Sequence, residues 1–151
     1  MVALLQTNNF KNGFRSNFGQ AVSSTLETTF LPNIIKIAKI AGKIILGYKN
    51  SDNLHTTQKH DKSYVTQADH DANHFIAAHL KSLNPNIPVV SEENYEQALK
   101  QYAAHWLPQQ DASHAKDFLY WAVDPLDGTQ SFIKNKKDYA CLLYTSDAAD
   151  E

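Results

Sequence analysis

Two aspartates stand three residues apart in Asp124-Pro125-Leu126-Asp127-Gly128-Thr129, with a proline, a glycine and a hydroxyl around them. Proline fixes one backbone torsion and glycine lets a neighbouring backbone or ligand come close. A turn of this kind can hold a hard cation and a phosphate. Magnesium takes oxygen ligands at about 2.0–2.1 Å in an octahedral array, and Asp124, the Leu126 carbonyl and Asp127 offer such donors. Asp-Pro and Asp-Gly are also ordinary turn formers, so the motif alone is as readily a plain turn as a site.

The neighbouring elements shift that balance. Phe118 to Val123 has the apolar, aromatic character of a strand and delivers Asp124 at its end, and Ile87 to Ser91 is a second short strand ending in Glu92-Glu93. A helix is predicted from Thr66 to about Leu83, stopped by Asn84-Pro85, with Thr66 and Asp69 as a capping pair. At about 100° per residue, Asp69, Ala72, Ile76, Leu80 and Leu83 share one stripe, so Asp69 points inward from the helix start. Four or five acids would then meet at one place, where they repel one another and take up protons unless cations relieve them.

VTQAD at 65–69, SEE at 91–93 and WAVDPLDGTQSF at 121–132 occur in the order of the motifs of the lithium-sensitive inositol-monophosphatase superfamily, which the chain therefore resembles. Lys59, Asp61 and Ser63 ahead of VTQAD, and Ser91 where glycine is more usual, resemble its bacterial 3'(2'),5'-bisphosphate nucleotidase branch. The resemblance implies two or more Mg2+ ions. Glu92, Asp124 and the Leu126 carbonyl would bind one ion, and Asp124 and Asp127 would share a second. Asp69 and Thr129 would orient and deprotonate the attacking water, and the Gly128 and Thr129 amides would hold the phosphate, with Glu93 in support. The implied substrate is a small phosphorylated molecule, adenosine 3',5'-bisphosphate in a sulfur-assimilation setting, with an inositol phosphate as the nearest alternative.

The remaining elements follow from periodicity. Leu31 to Tyr48 places Ile34, Ile37, Ala38, Ala41, Ile44 and Ile45 at helical spacing, with Pro32 suited to the first turn. Asn94 to Lys116 is expected to be a helix plus loop, and a strand is expected to begin at Tyr139. The expected class is α+β, two long helices packed on a sheet, as the N-terminal part of the layered sugar-phosphatase fold that the resemblance implies. Residues 1–30 lack a sustained period and are read as an unassigned extension, 31–141 as the metal-binding part of a phosphatase domain.

Other signals carry less. His70 and His74 share a helical face, but it lies away from the Ile76 and Leu80 stripe, and they are expected to be solvent-exposed. His55, His60, His79, His105 and His114 form no ligand spacing. Lys134, Lys136 and Lys137 read as a solvated face. With 42% hydrophobic and 20% charged residues in 151, and a net charge of −2, the composition is that of one soluble domain without the basic excess of a nucleic-acid-binding protein. Cys141 is the only cysteine, which rules out an intrachain disulfide and makes a reducing compartment the simpler assumption. No stretch approaches the ~20 apolar residues of a membrane span. A cytoplasmic location, free or peripheral on the inner membrane, is expected.

The superfamily pattern continues through a second subdomain that supplies a further metal-binding aspartate and most leaving-group contacts, and that pattern is not found here. The ending LLYTSDAADE, at 142–151, departs from the apolar strand expected there. It reads as a non-native tail on a truncated, inactive, aggregation-prone fragment.

Overall fold

Helix α1, Leu31–Gly47, begins with Pro32 in its first turn, where a missing N–H costs nothing. It buries Ile34, Ile37, Ala38, Ala41, Gly42 and Ile45, and it leaves Lys36, Lys39 and Lys43 exposed. In the computed structural model, residues 3–7, 30–49, 51, 54–106 and 119–147 are described.

In chain order the other elements are strand β1, Ala3–Thr7; the two-residue strands β2, Thr57–Gln58, and β3, Tyr64–Val65; and helix α2, Gln67–Leu83. Strand β4, Val89–Ser91, runs through a 3-10 turn, Glu92–Asn94, into helix α3, Tyr95–Trp106. Strand β5, Leu119–Asp127, leads into the single-turn helix α4, Thr129–Ile133, and then strand β6, Ala140–Asp147. The main sheet has the order β1-β6-β5-β4, and β2 pairs with β3 as a separate antiparallel hairpin. Strand β5 is antiparallel to β6 and parallel to β4, with Val89 opposite Trp121 and Ser91 opposite Val123.

The inward stripe of α2 is Ala68, Asp69, Ala72, Ile76 and Leu80, all buried, while Leu83 is half-buried. That stripe joins the buried face of α1, Trp121 and Val123 of β5, and Cys141 and Leu143 of β6 in one core. Removing side chains such as Ile45, Ile76 and Leu80 from water is worth about 1.5–3 kcal/mol each, which offsets part of the chain entropy lost in ordering both helices. Helix α2 ends where Asn84 N–H returns to the Leu80 carbonyl at 3.0 Å, next to a proline that disfavours a further turn. Tyr48, just after α1, donates its hydroxyl to Asp71 of α2, whose other oxygen accepts from Gln67 at 2.8 Å; these bonds hold the Asp71 carboxyl below the usual range.

The α+β class with two long helices on a sheet is as expected, and the differences lie in short elements. Ala3–Thr7 pairs in parallel with β6, from Ala3 opposite Cys141 to Thr7 opposite Thr145, an element that the aperiodic 1–30 sequence does not predict. Five residues are enough for backbone pairing yet too few to show a period. The polar stretch after α1 contains the β2–β3 hairpin, for the same reason. Strand β6 continues to Asp147, six residues beyond Cys141. The loop expected after α3 falls at 107–118, outside the described residues, as do His114 and 148–151. Among the described residues no helix is long and apolar enough to cross a membrane.

Candidate active site

Asp69 is 3% exposed at the third position of α2. Its Oδ2 accepts from the Thr66 N–H at 2.8 Å and from the Thr66 hydroxyl at 2.6 Å, which satisfies a helix-start donor and fixes the carboxyl. Its other oxygen, Oδ1, faces the Thr129 hydroxyl at 3.0 Å, sixty positions away in the chain. That hydroxyl also lies 2.9 Å from the Leu126 carbonyl, and its single hydrogen serves one acceptor at a time. Burial pushes the Asp69 carboxyl up, against the bonds from Thr66 and Thr129 that favour its charged form.

The turn that carries Thr129 is built by an irregularity in β5. The β5–β6 register shifts between Asp124 and Asp127, so the two aspartates are not placed by simple strand alternation. Pro125 and Leu126 are buried between them, and the Leu126 N–H donates to Asp124 Oδ1 at 3.2 Å. Gly128 follows at φ +81°, and a Cβ there would lie 2.5 Å from the Asp138 carbonyl oxygen. Only glycine avoids both the torsional strain and the clash. Ser131 and Phe132 N–H groups close the α4 turn on the Gly128 carbonyl, and Phe132 packs edge-on against Tyr139.

The acids come together around Asp124. Burial first, then the charges of Glu92, Asp127 and Asp69, push its carboxyl to about 7. Glu92 and Glu93 open the 3-10 turn after β4. Lys59, directly after β2, reaches both, with its Nζ 2.9 Å from Glu92 Oε1 and 2.8 Å from Glu93 Oε1. Burial pulls the Lys59 ammonium down, but the bonds to Glu93 and Glu92 outweigh it and hold the pKa above its ordinary value. Cys141 is buried and pushed up to about 12, by burial and then by Asp124, so it is no thiolate nucleophile.

The Thr129 hydroxyl therefore lies within hydrogen-bond reach of both Asp69 and the Leu126 carbonyl, and Asp124 senses Glu92, Asp127 and Asp69. Among the described residues, no three His, Cys, Asp or Glu side chains are already arranged around one metal position. The oxygen set that could hold a hard cation is Glu92, Asp124, Asp127 and the Leu126 carbonyl, and a cation would relieve the repulsion concentrated on Asp124. His70 and His74 are exposed, as expected, and Lys134, Lys136 and Lys137 are solvated. Sequence reasoning gave Lys59 no role. Its only signal was its place in the wording ahead of VTQAD.

This fold and acidic corner belong to a phosphatase-type family: the chain is a member of the inositol monophosphatase family, whose profile matches residues 27–144. It is 32% identical over 119 residues to the 3'(2'),5'-bisphosphate nucleotidase CysQ of Haemophilus influenzae, a match covering 79% of this chain and 39% of that protein. It is 34% identical over 110 residues to CysQ of Salmonella typhimurium, covering 72% and 39%. Among solved structures it is similar to CysQ from Bacteroides thetaiotaomicron, with a TM-score of 0.51, 28% identity, and coverage of 80% of this chain and 40% of that one. The extragenic suppressor protein suhB from Bartonella henselae shares the fold, with a TM-score of 0.59 at 23% identity, covering 80% and 42%. The chain spans about 39% of the length of the curated relatives it matches.

Proposed function

We propose that the whole protein is a magnesium-dependent phosphomonoester hydrolase of the 3'(2'),5'-bisphosphate nucleotidase type, releasing phosphate from adenosine 3',5'-bisphosphate. The observation that carries this is the bond from Thr129 to the buried Asp69 beside the crowded Asp124. A hydroxyl held between a carboxylate and the Leu126 carbonyl is suited to orient a water molecule and pass its proton to Asp69. Glu92, Asp124 and the Leu126 carbonyl take one Mg2+, and Asp124 and Asp127 take part in holding a second. Bound ions supply Lewis-acid stabilisation of the charge that builds on attacking and leaving oxygens. The Gly128 and Thr129 amides, at a helix start without intrahelical acceptors, hold the phosphate. The similarity to CysQ proteins supports the nucleotide substrate over an inositol phosphate.

A second reading applies to the 151-residue chain itself, as a non-catalytic, metal-binding part of that enzyme. It is favoured by the 39% span of the relatives. Phosphate release from adenosine 3',5'-bisphosphate and from inositol 1-phosphate, each with Mg2+, tests both readings. The 151-residue chain is expected to release none. A chain extended from the recloned gene is expected to prefer the nucleotide and to lose turnover on Asp124→Asn. Turnover by the short chain that disappears in Asp124→Asn would refute the second reading; preference of the long chain for inositol 1-phosphate would refute the first.

A further inference from the structure

The roles proposed above leave out Lys59, although it is the cation already seated in the acidic corner. Its backbone is held by a tight turn between β2 and β3. Lys59 N–H donates to the Ser63 carbonyl at 2.8 Å, and Lys62 N–H returns to the Lys59 carbonyl at 3.0 Å. Lys62 takes a positive φ of 70°, and Asp61 Oδ1 accepts from the Ser63 N–H at 2.9 Å and from its hydroxyl at 2.6 Å. A hairpin fixed in this way aims the Lys59 stem at the turn after β4.

There the two contacts differ. The Glu93 side chain is 9% exposed and the Glu92 side chain 48%. A buried carboxylate left without its partner is costly, whereas an exposed one is readily solvated or shared. Glu93 is thus the anchor of the ammonium, and Glu92 the partner it can give up. Lysine suits such a part, since its charge sits on a flexible stem and can swing without moving the backbone.

We propose that Lys59 is an internal counter-cation that competes with a divalent ion for Glu92, so that the β2–β3 hairpin acts as an ionic latch on the metal position, anchored at Glu93. The competition rests on the reading of Glu92 as a metal ligand; the latch in the metal-free chain does not. Lys59 already engages Glu92 Oε1 at 2.9 Å, and a fixed positive charge beside an incoming divalent ion weakens its binding. Because Glu92 and Lys59 are partly exposed, the effect is modest and falls with salt.

The test uses the 151-residue chain, with amine acylation read by mass spectrometry and divalent binding read by titration calorimetry with Mg2+ and Mn2+. A partly exposed pair worth about 1 kcal/mol protects Lys59 about fivefold relative to the exposed Lys62 when no metal is present. Glu93→Gln is expected to remove that protection. Saturating Mg2+ is expected to raise Lys59 labelling about twofold or more, as one of two partners leaves, while Lys62 is unchanged. Lys59→Met is expected to tighten Mg2+ binding about three- to tenfold, while Lys59→Arg stays near wild type. Lys59 labelling as fast as Lys62 without metal, or unaffected by Glu93→Gln, overturns the latch. Unchanged or weaker binding by Lys59→Met overturns the competition. If neither wild type nor Lys59→Met binds a divalent ion while Lys59 remains protected, the metal reading of Glu92 fails and the competition fails with it.

Discussion

Replacing Asp124 with asparagine should stabilise the metal-free chain at pH 8 about three times as much as at pH 5. The Asp124 carboxyl is pushed from 3.8 to about 7 by burial and by the charges of Glu92, Asp127 and Asp69. Between those values the folded state keeps a proton that the unfolded chain has released. Stability therefore falls as pH rises through this window, and the loss is complete above about 7. A rise of about three units at about 1.36 kcal/mol each sets a ceiling near 4 kcal/mol, and partial solvent access lowers the expected loss to about 2 kcal/mol. Asparagine removes the charge and keeps an amide oxygen to accept the Leu126 N–H, which lies 3.2 Å from the aspartate oxygen now. Urea denaturation of both chains at pH 5 and pH 8, with a chelator present, measures the difference. The variant is expected to gain about 2 kcal/mol at pH 8 and roughly a third of that at pH 5. A shallower fall should remain in the variant, because burial raises Asp69 as well. An equal effect of the substitution at both pH values would refute the electrostatic account of this site.

Other outcomes follow from single contacts. Gly128→Ala combines a positive φ with a Cβ 2.5 Å from the Asp138 oxygen, so a loss of about 3 kcal/mol or more is expected in the same urea assay. Thr129→Val removes the donor facing Asp69 Oδ1 and should cost about 1–3 kcal/mol, with a smaller loss at low pH where Asp69 is protonated. Leu80→Ala, at a fully buried α2 position, should cost about 2–5 kcal/mol. Mg2+ at about 100 times its dissociation constant should add about 2.7 kcal/mol of stability to the wild type, measured as a rise in thermal midpoint, and much less to Asp124→Asn.

What could be read from the residues was whatever repeats within one element. The inward direction of Asp69 followed from the α2 stripe, and the burial of Asp69 with Ala72, Ile76 and Leu80 agrees with it. The delivery of Glu92 and Asp124 by strands followed from short apolar runs ending in acids, and β4 and β5 pair side by side. Features that depend on contacts across the chain were not legible. Lys59 meets Glu92 and Glu93 across thirty-odd positions, through a hairpin whose strands have two residues each. The register shift in β5 was equally hidden, since a bulge depends on the partner strand as well as on its own residues. The strand at Ala3–Thr7 has the same cause, because nothing in five residues names β6 as the partner.

The parallel pairing of β4 with β5 also has a kinetic side. Ser91 and Val123 become neighbours only after the intervening segment has been gathered in, a closure whose entropy must be met before the contact repays it. That same step brings Glu92 up to Asp124, so like charges are brought together as these two strands pair. Repulsion between them would oppose that pairing, and a divalent ion present during refolding would relieve it. Mg2+ should accelerate folding of this chain as well as steady the folded product.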